Sequence, residues 1–303
     1  MSLSQTIRLM AAAGIGATAL TVVGLAAPAQ ARVADTRPAC LTPTPNAAIA
    51  AARGGATGLD HRDISTAEQR AILRRAHSRL AAQGLSGRGR AALVAKTVPV
   101  YVHVMRDAQG RGNVADGQIT QQIAGLNRAF VSLGFSFNLM DVTRHYDTAW
   151  HYDRESLRYR SLTRQGGPNA LNIWVVDFRN LGIATFPWDT PRAIDGIRIN
   201  YDSLPGGSIV HYNEGGTAVH ETGHWLGLFH TFQGGCTSTN DQVDDTPAQA
   251  TPTTGCPATR DSCPAPGSDP IHNYMDYSWD SCYEQFTPGQ GERANMMWAA
   301  YRA

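Results

Sequence analysis

The chain has 303 residues, a formal net charge of +1 and 42% hydrophobic residues, a length that permits one large domain or two. The small net charge hides an asymmetry: residues 32–96 carry eleven Arg or Lys against four Asp or Glu, whereas residues 97–303 carry fourteen against twenty-one. The two segments thus carry net charges of equal size and opposite sign, which suggests that the basic segment docks on the acidic one. Because the larger segment is acidic, the charge distribution argues against a nucleic-acid-binding protein.

The N-terminus has the features of a secretory signal peptide at residues 1–31. Arg8 precedes a run of Ala, Gly, Leu and Val from Met10 to Ala27, and Ala29-Gln30-Ala31 is a cleavage site of the A-x-A kind. The alternative is a membrane anchor, but the apolar run is short and rich in Ala and Gly. We therefore expect a secreted protein with no membrane association after the signal is removed.

Residues 32–95 form a predicted prosegment. Ser65 followed by Glu68 is a capping box, which predicts a helix inside this segment. The Gly- and Arg-rich stretch that follows suits proteolytic nicking, although an ordinary linker would have the same composition. We expect activation by cleavage between Gly84 and Lys96.

Residues 96–303 form a predicted second domain that begins with strand–helix–strand order, which favours a mixed sheet with helices packed on it. A helix is expected from a cap at Asp116 to about Leu133. His103 lies within the first strand and is expected to be a face residue rather than a ligand. Alternating or continuous apolar runs predict strands at Val98–Met105, Phe135–Val142, Leu171–Phe178, Ile183–Phe186 and Gly196–Ile199.

The spacing His-Glu-x-x-His-x-x-Gly-x-x-His predicts a zinc site that carries its own base. His220 and His224 lie four residues apart and therefore share one face of a helix, while Glu221 can reach a water bound to the metal. Gly227 can adopt the left-handed conformation that ends a helix and turns His230 back to the same ion. Three imidazole ligands leave a fourth position open for water, as is typical of a catalytic zinc.

An irregular lower subdomain is predicted after the histidines. Thr, Pro, Gly, Asp and Cys dominate residues 231–270, so disulfides are expected to supply order that apolar burial does not. Thr287 and Gln290 form a capping box for a final helix. This part contains four cysteines, Cys236, Cys256, Cys263 and Cys282. Their spacing alone leaves all three possible disulfide pairings open.

A second motif lies 45 residues beyond His230, where Met275 stands in the stretch Asn-Tyr-Met-Asp-Tyr. An elongated zinc motif followed by a methionine-containing turn is typical of the metzincin metallopeptidases. The flanking stretches Trp225–Cys236 and Val243–Pro247 narrow the resemblance from the metzincins as a whole to one family. From about Val98 to the C-terminus, the chain closely resembles the pappalysin family.

This resemblance implies an α+β, metzincin-like fold. A twisted mixed β-sheet with a backing helix and an active-site helix would form the upper subdomain, residues 96–230. An irregular, disulfide-stapled lower subdomain, residues 231–303, would end in a helix. Zinc would be bound by the three histidines of the motif, and Glu221 would act as general base and then as general acid in peptide-bond hydrolysis.

The resemblance also implies roles for residues outside the zinc motif. Met275 would form the turn beneath the metal, and Tyr277 would stabilise the tetrahedral intermediate. The disulfides would be Cys236–Cys263 and Cys256–Cys282. The family can bind calcium in the loop after the first of these cysteines, and the candidate ligands, which could equally be solvated surface charges, are Asp241, Asp244 and Asp245.

Cys40 is the one cysteine outside the cluster, and its thiolate could occupy the open position of the zinc before activation. The alternative is a cysteine that is simply left in the prosegment or paired between molecules. The sequence thus predicts a secreted zinc-dependent endopeptidase acting on proteins or peptides, made as a latent zymogen with its own prosegment as inhibitor. Two rivals are a non-catalytic, zinc-stabilised binding protein and a metallopeptidase with a distant glutamate as third ligand, which His230 disfavours.

Overall fold

Residues 64–85, 95–189 and 191–303 are described by a computed structural model. The predicted signal peptide, Cys40 and most of the predicted cleavage segment lie outside these ranges. The strands are β1 (Lys96–Arg106), β2 (Phe135–Tyr146), β3 (Leu171–Val176), β4 (Gly182–Ala184) and β5 (Ile197–Asn200). The α-helices are α1 (Thr66–Ala82), α2 (Asp116–Phe130), α3 (Thr148–His151), α4 (Ser156–Thr163), α5 (Gly216–Trp225) and α6 (Pro288–Tyr301).

The five strands form one sheet in the order β2-β1-β3-β5-β4. All neighbouring pairs are parallel except β4 with β5, so the sheet is mixed, as predicted, and β4 is an antiparallel edge strand. Parallel strands need long crossovers, and α2 supplies the one between β1 and β2. Among the described helices, none is both long and apolar enough to cross a membrane.

Each face of the sheet is covered by helices. Val98, Val100, Val102 and Val104 of β1 belong to the main core, together with the apolar face of α2 and residues of α5. A smaller cluster on Met105 and Trp174 includes Tyr159 of α4. As predicted, β3 is buried along its whole length, because both of its faces are covered.

Three details of the upper subdomain differ from the sequence prediction. Asp116 is the first residue of α2, and the N-cap position before it is taken by Ala115, whose backbone N–H donates to the Gln118 side chain at 3.1 Å. The helix ends at Phe130 and continues as a short 3-10 turn to Leu133. The short helices α3 and α4 have no clear apolar periodicity, and the sequence does not predict them.

The lower subdomain has little regular structure before its last helix. Within the described ranges, residues 231–279 contain no helix or strand, and two disulfides join Cys236 to Cys263 and Cys256 to Cys282. These are the interleaved pairs that the family resemblance implies. The final helix α6 begins with the predicted capping box, in which the Thr287 hydroxyl accepts from Gln290 N–H at 3.1 Å.

Candidate active site

The helix α5 carries the first half of the predicted zinc motif and ends where the motif requires. Its last residue is Trp225, and Gly227 follows in the left-handed conformation with φ 93°. The N–H of Leu228 donates to the carbonyl of Gly223 at 3.0 Å, and the N–H of Gly227 donates to the carbonyl of His224 at 2.8 Å. This pair of bonds is the Schellman motif, which closes the helix and redirects the chain to His230.

The structure brings the three histidines of the motif together. The Nε2 atom of His224 lies 3.1 Å from Nε2 of His220 and 3.0 Å from Nε2 of His230. All three rings are buried. Within the described ranges, these histidines are also the one group of three or more His, Cys, Asp or Glu residues that could hold a metal ion.

The other nitrogen of each ring is held by an oxygen acceptor. Nδ1 of His220 donates to the carbonyl of Tyr274 at 2.7 Å, and Nδ1 of His224 donates to the carbonyl of Leu228 at 2.8 Å. Nδ1 of His230 lies 3.2 Å from the Gln233 side-chain oxygen. Because a carbonyl oxygen can only accept, each Nδ1 carries the proton and each Nε2 presents a lone pair toward the other two.

Three converging neutral imidazoles fit a zinc ion. Two lone pairs about 3 Å apart repel unless a cation lies between them, and tetrahedral zinc with Zn–N bonds of about 2.0–2.1 Å separates its nitrogens by about 3.3 Å. The observed Nε2 separations from His224 are close to that value. The donor set is therefore the one expected for zinc with an open fourth position.

Glu221 directly follows His220 in α5 and is buried, with 2% of its surface exposed. Gly182, in the edge strand β4, lies against it, since a Cβ atom at Gly182 would overlap the Glu221 carboxylate. Glu221 therefore stands next to His220 on α5, under the edge strand of the sheet.

The predicted methionine turn lies directly beneath α5. Met275 is fully buried, and its sulfur occupies the space that a side chain on Gly223 would need. Asn273 and Gln290 exchange two amide hydrogen bonds of 2.8 and 3.1 Å, and the Asn273 oxygen also accepts from Met275 N–H at 2.9 Å. This amide pair fixes the turn to the start of α6, a role that the sequence does not reveal for Gln290.

Tyr277 packs among the histidines. Its ring centroid lies 4.9 Å from that of His230 and 5.6 Å from that of His220. The side chain is buried, and its backbone N–H donates to the Asp276 carboxylate at 2.8 Å. The structure thus brings Tyr277 to the histidine cluster, as the family resemblance implies.

Asp280 is a residue whose role sequence reasoning missed. One of its carboxylate oxygens accepts from the N–H groups of Glu214 at 2.9 Å and Gly216 at 3.1 Å, which lie at the start of α5. The first N–H groups of a helix have no acceptor within the helix, so a carboxylate there satisfies them and interacts favourably with the helix dipole. Gly215, the N-cap residue, has no side chain to do this.

The three predicted calcium ligands do not form a cluster. Asp245 accepts from Gly289 N–H at 2.8 Å, near the start of α6, and Asp241 accepts from Val243 N–H at 3.0 Å. Asp241 is 1% exposed, and burial raises its pKa to about 8. Asp244 is exposed. Asp241 and Asp245 therefore each accept a hydrogen bond from a backbone N–H group.

His103 lies apart from the zinc histidines. Its ring contacts the Thr143 hydroxyl at 2.8 Å and the Asn172 side-chain oxygen at 2.9 Å, and it stacks on Trp174. Burial lowers the pKa of His103 to about 4. It is therefore a neutral residue of the sheet, in line with its prediction as a face residue.

Comparison with known proteins agrees with this geometry. The family described as pregnancy-associated plasma protein-A matches residues 171–299, a range that includes the zinc motif and the methionine turn. An extracellular metalloprotease of Colletotrichum graminicola is 44% identical over 227 residues, which are 71% of this chain and 80% of that protein. One of Verticillium alfalfae is 46% identical over 218 residues, which are 68% of this chain and 77% of that protein.

Solved structures of mirolysin have the same fold. The complex of mature Tannerella forsythia mirolysin with a cleaved peptide gives a TM-score of 0.60 at 29% identity, covering 66% of this chain and 90% of that one. A Tannerella forsythia promirolysin mutant gives 0.62 at 27% identity, covering 75% and 88%. The three-histidine cluster and these relatives together establish that the chain belongs to the pappalysin family of metzincin metallopeptidases and is a metalloendopeptidase.

Proposed function

We propose that this chain is a secreted zinc endopeptidase in which His220, His224 and His230 hold the metal and Glu221 transfers protons. The convergence of three Nε2 atoms, each on a ring whose Nδ1 is bonded to an oxygen, carries the proposal. Relatives named extracellular metalloprotease support the export that the N-terminal sequence predicts. The substrates are proteins or peptides.

The mechanism assigns separate tasks to the metal and to the side chains. Zinc, when bound by the histidines, would act as a Lewis acid toward a water and toward the scissile carbonyl. Glu221 accepts a proton from the attacking water as the new C–O bond forms, and it returns that proton to the amide nitrogen as the C–N bond breaks. The Tyr277 hydroxyl donates a hydrogen bond to the carbonyl oxygen, where negative charge develops.

The substitution Glu221→Ala tests the proton-transfer role. We expect the rate of peptide cleavage to fall at least about 100-fold, because a positioned general base contributes that much or more. Zinc content, measured on the same sample, should stay at the wild-type level. Glu292→Ala, on an exposed position of α6, is the matched control and should keep full activity. A zinc-loaded Glu221→Ala variant that cleaves peptides as fast as wild type would contradict the proposal.

A casein assay with and without a chelator tests the metal and distinguishes the enzyme from a zinc-stabilised binding protein. Chelation should abolish cleavage, and added zinc should restore it. Activity that survives complete removal of zinc, or a zinc-loaded protein that cleaves no peptide after activation, would exclude the proposed function.

We further propose calcium as a stabilising ion near Asp241. Burial raises the pKa of this carboxylate to about 8 even though the Arg293 guanidinium is nearby, and a bound divalent cation would stabilise its ionised form. The test is the melting temperature of the zinc-loaded protein with calcium and with a calcium chelator that leaves zinc bound. An unchanged melting temperature would exclude a calcium site that matters for stability.

A further inference from the structure

The helix α1, which belongs to the predicted prosegment, packs on α6 of the catalytic domain. Ile72 and Ala76, one turn apart on α1, are fully buried in this contact. Most of the stability of a helix in a protein comes from the packing of its apolar face, so the 17-residue helix α1 depends on this contact. We call the contact the docking cluster, and its buried apolar members are Ile64, Ile72, Ala76, Phe186, Phe229, Met297, Ala300 and Tyr301.

Polar contacts reinforce the docking cluster. Nε of Arg79 on α1 donates to the carbonyl of Ala300 at 3.0 Å, and its guanidinium lies 4.6 Å from the ring centroid of Tyr301. Ala300 lies in the last turn of α6, where carbonyls have no partner within the helix and the helix dipole favours a positive charge. Arg79 therefore satisfies the end of α6 from another segment of the chain.

The docking cluster adjoins the zinc site but contains none of its proposed functional residues. The Phe186 ring meets the His224 ring edge to face at 5.3 Å, and Phe229 directly precedes His230 in the chain. Glu221 and the three histidines lie outside the cluster. The packing of α1 thus occupies none of the groups assigned to catalysis.

We propose that α1 stays bound to the catalytic domain after the chain is cut between Gly84 and Lys96, so that the N-terminal piece is retained noncovalently. This inference depends on the proposed function in one respect, which is that the cut between Gly84 and Lys96 is the cut that activates the enzyme. Loss of α1 would expose the apolar face of α6, including Met297 and Ala300, and would remove the Arg79 contact. The covalent link is therefore not what holds α1 in place.

The experiment cuts the chain at one defined place and asks whether the two pieces separate. Residues 86–91 of a precursor starting at Arg32 are replaced by the recognition sequence of a site-specific protease, in a Glu221→Ala background that prevents self-digestion. After complete cutting, gel filtration at micromolar concentration should return both pieces in one peak. Elution of the N-terminal piece by itself would overturn the proposal.

A matched pair of variants tests whether the docking cluster is responsible. Ala76→Asp places a charge in the cluster and should weaken retention at least about 100-fold in a dilution series, because a buried unpaired charge is costly. Ala67→Asp makes the same change at an exposed position of α1 and should retain the piece like the parent. Equal release by the two variants would overturn the proposal.

A milder substitution covers the case in which Ala76→Asp prevents the precursor from folding. Ile72→Ala removes buried methyl groups from the same cluster and should weaken retention about 30-fold or more. Retention equal to that of the parent would overturn the proposal. The readout is independent of peptidase activity: if the cut wild-type background retains the piece but cleaves no casein, the proposed function fails while this inference stands.

Discussion

Gly182 of β4 lies directly against the side chain of Glu221. A Cβ atom on Gly182 would lie 2.5 Å from Oε1 and 2.7 Å from Cδ of Glu221, well inside van der Waals contact. The φ angle of Gly182 is not positive, so glycine is needed here for space rather than for backbone conformation. The edge strand therefore limits where the proposed catalytic carboxylate can stand.

The substitution Gly182→Ala should displace that carboxylate and slow catalysis. A misplacement of about 1 Å costs about 100-fold in rate when the displaced group acts in the reaction, so we expect kcat to fall by about that factor. KM and zinc content should change little, because the three histidines are untouched. Steady-state kinetics with a fluorogenic peptide and zinc analysis make the measurement.

Gly117→Ala is the matched control for this prediction. Gly117 lies in α2, and a Cβ atom there would meet nothing within 4 Å. This variant should keep wild-type kinetics. If Gly182→Ala also keeps wild-type kcat, the position of Glu221 tolerates the added methyl and the inferred spacing role is wrong.

The substitution Tyr277→Phe should reduce kcat by about 100-fold or more, since loss of one hydrogen-bond donor to a developing oxyanion has that effect. The ring packing against His220 and His230 is kept, so zinc content should not change. Tyr146→Phe, at a tyrosine that is 70% exposed on β2, serves as the control and should leave kcat unchanged. A Tyr277→Phe variant with wild-type kcat would exclude the hydroxyl from transition-state stabilisation.

Sequence reasoning predicts those parts of this site that are encoded by residues close together in the chain. Histidines four residues apart on a helix, a left-handed glycine after the helix and a methionine turn are all local patterns, and the fold and family expectations that rest on them are confirmed. The contact between Gly182 and Glu221 depends instead on how β4 lies relative to α5. The capping of α5 by Asp280 likewise joins residues 64 or more positions apart, and no local pattern encodes it.

Cys40→Ser tests the predicted latency of the precursor. If the thiolate occupies the open zinc position, a precursor that begins at Arg32 should be inactive, and the serine variant should activate faster because a hydroxyl is a much weaker zinc ligand. The time course of peptide cleavage after addition of an activating protease measures the difference. Equal activation rates of the two precursors would exclude Cys40 as a zinc ligand.

Arg302 and Asp195 form a buried ion pair, and Arg302 also binds the last residue of α5. Arg302 donates to the two Asp195 oxygens at 2.8 and 3.1 Å and to the Trp225 carbonyl at 2.9 Å. Burial alone would raise the pKa of Asp195, but the charge and hydrogen bonds of Arg302 outweigh it and hold the pKa below its usual 3.8. A depressed pKa contributes stability that is present above about pH 4 and lost as the pH falls through the folded-state value.

Arg302→Ala should therefore destabilise the protein by about 3–5 kcal/mol at pH 7, because it removes the arginine that binds both oxygens of a buried carboxylate and leaves only the more distant Arg164, at 3.7 Å, to pair with it. The loss should shrink toward acid pH, where Asp195 can be protonated. Urea unfolding at pH 7 and pH 4 measures both. Arg158→Ala, which breaks an exposed pair with Glu155, should cost less than about 1 kcal/mol. A similar small cost for Arg302→Ala would contradict the inferred role of the pair.

Asp241 should give the protein a pH-dependent stability of the opposite sign. Burial raises its folded-state pKa to about 8 from 3.8, even though Arg293 and the Val243 N–H act to lower it. The folded state therefore binds a proton that the unfolded state has released, and the resulting stability is present below about pH 4 and lost as the pH rises through about 8.

Asp241→Asn should remove this dependence. In the absence of calcium, the unfolding free energy of the wild type should fall relative to the variant between pH 5 and pH 8, by at most about 1.4 kcal/mol per pH unit. Calcium at this carboxylate would require its ionised form, so added calcium should flatten the wild-type curve and leave the variant unchanged. Urea titrations at three pH values, with calcium and with a calcium chelator, separate the two effects. Parallel curves for wild type and Asp241→Asn without calcium would show that the Asp241 pKa is not raised in the folded protein.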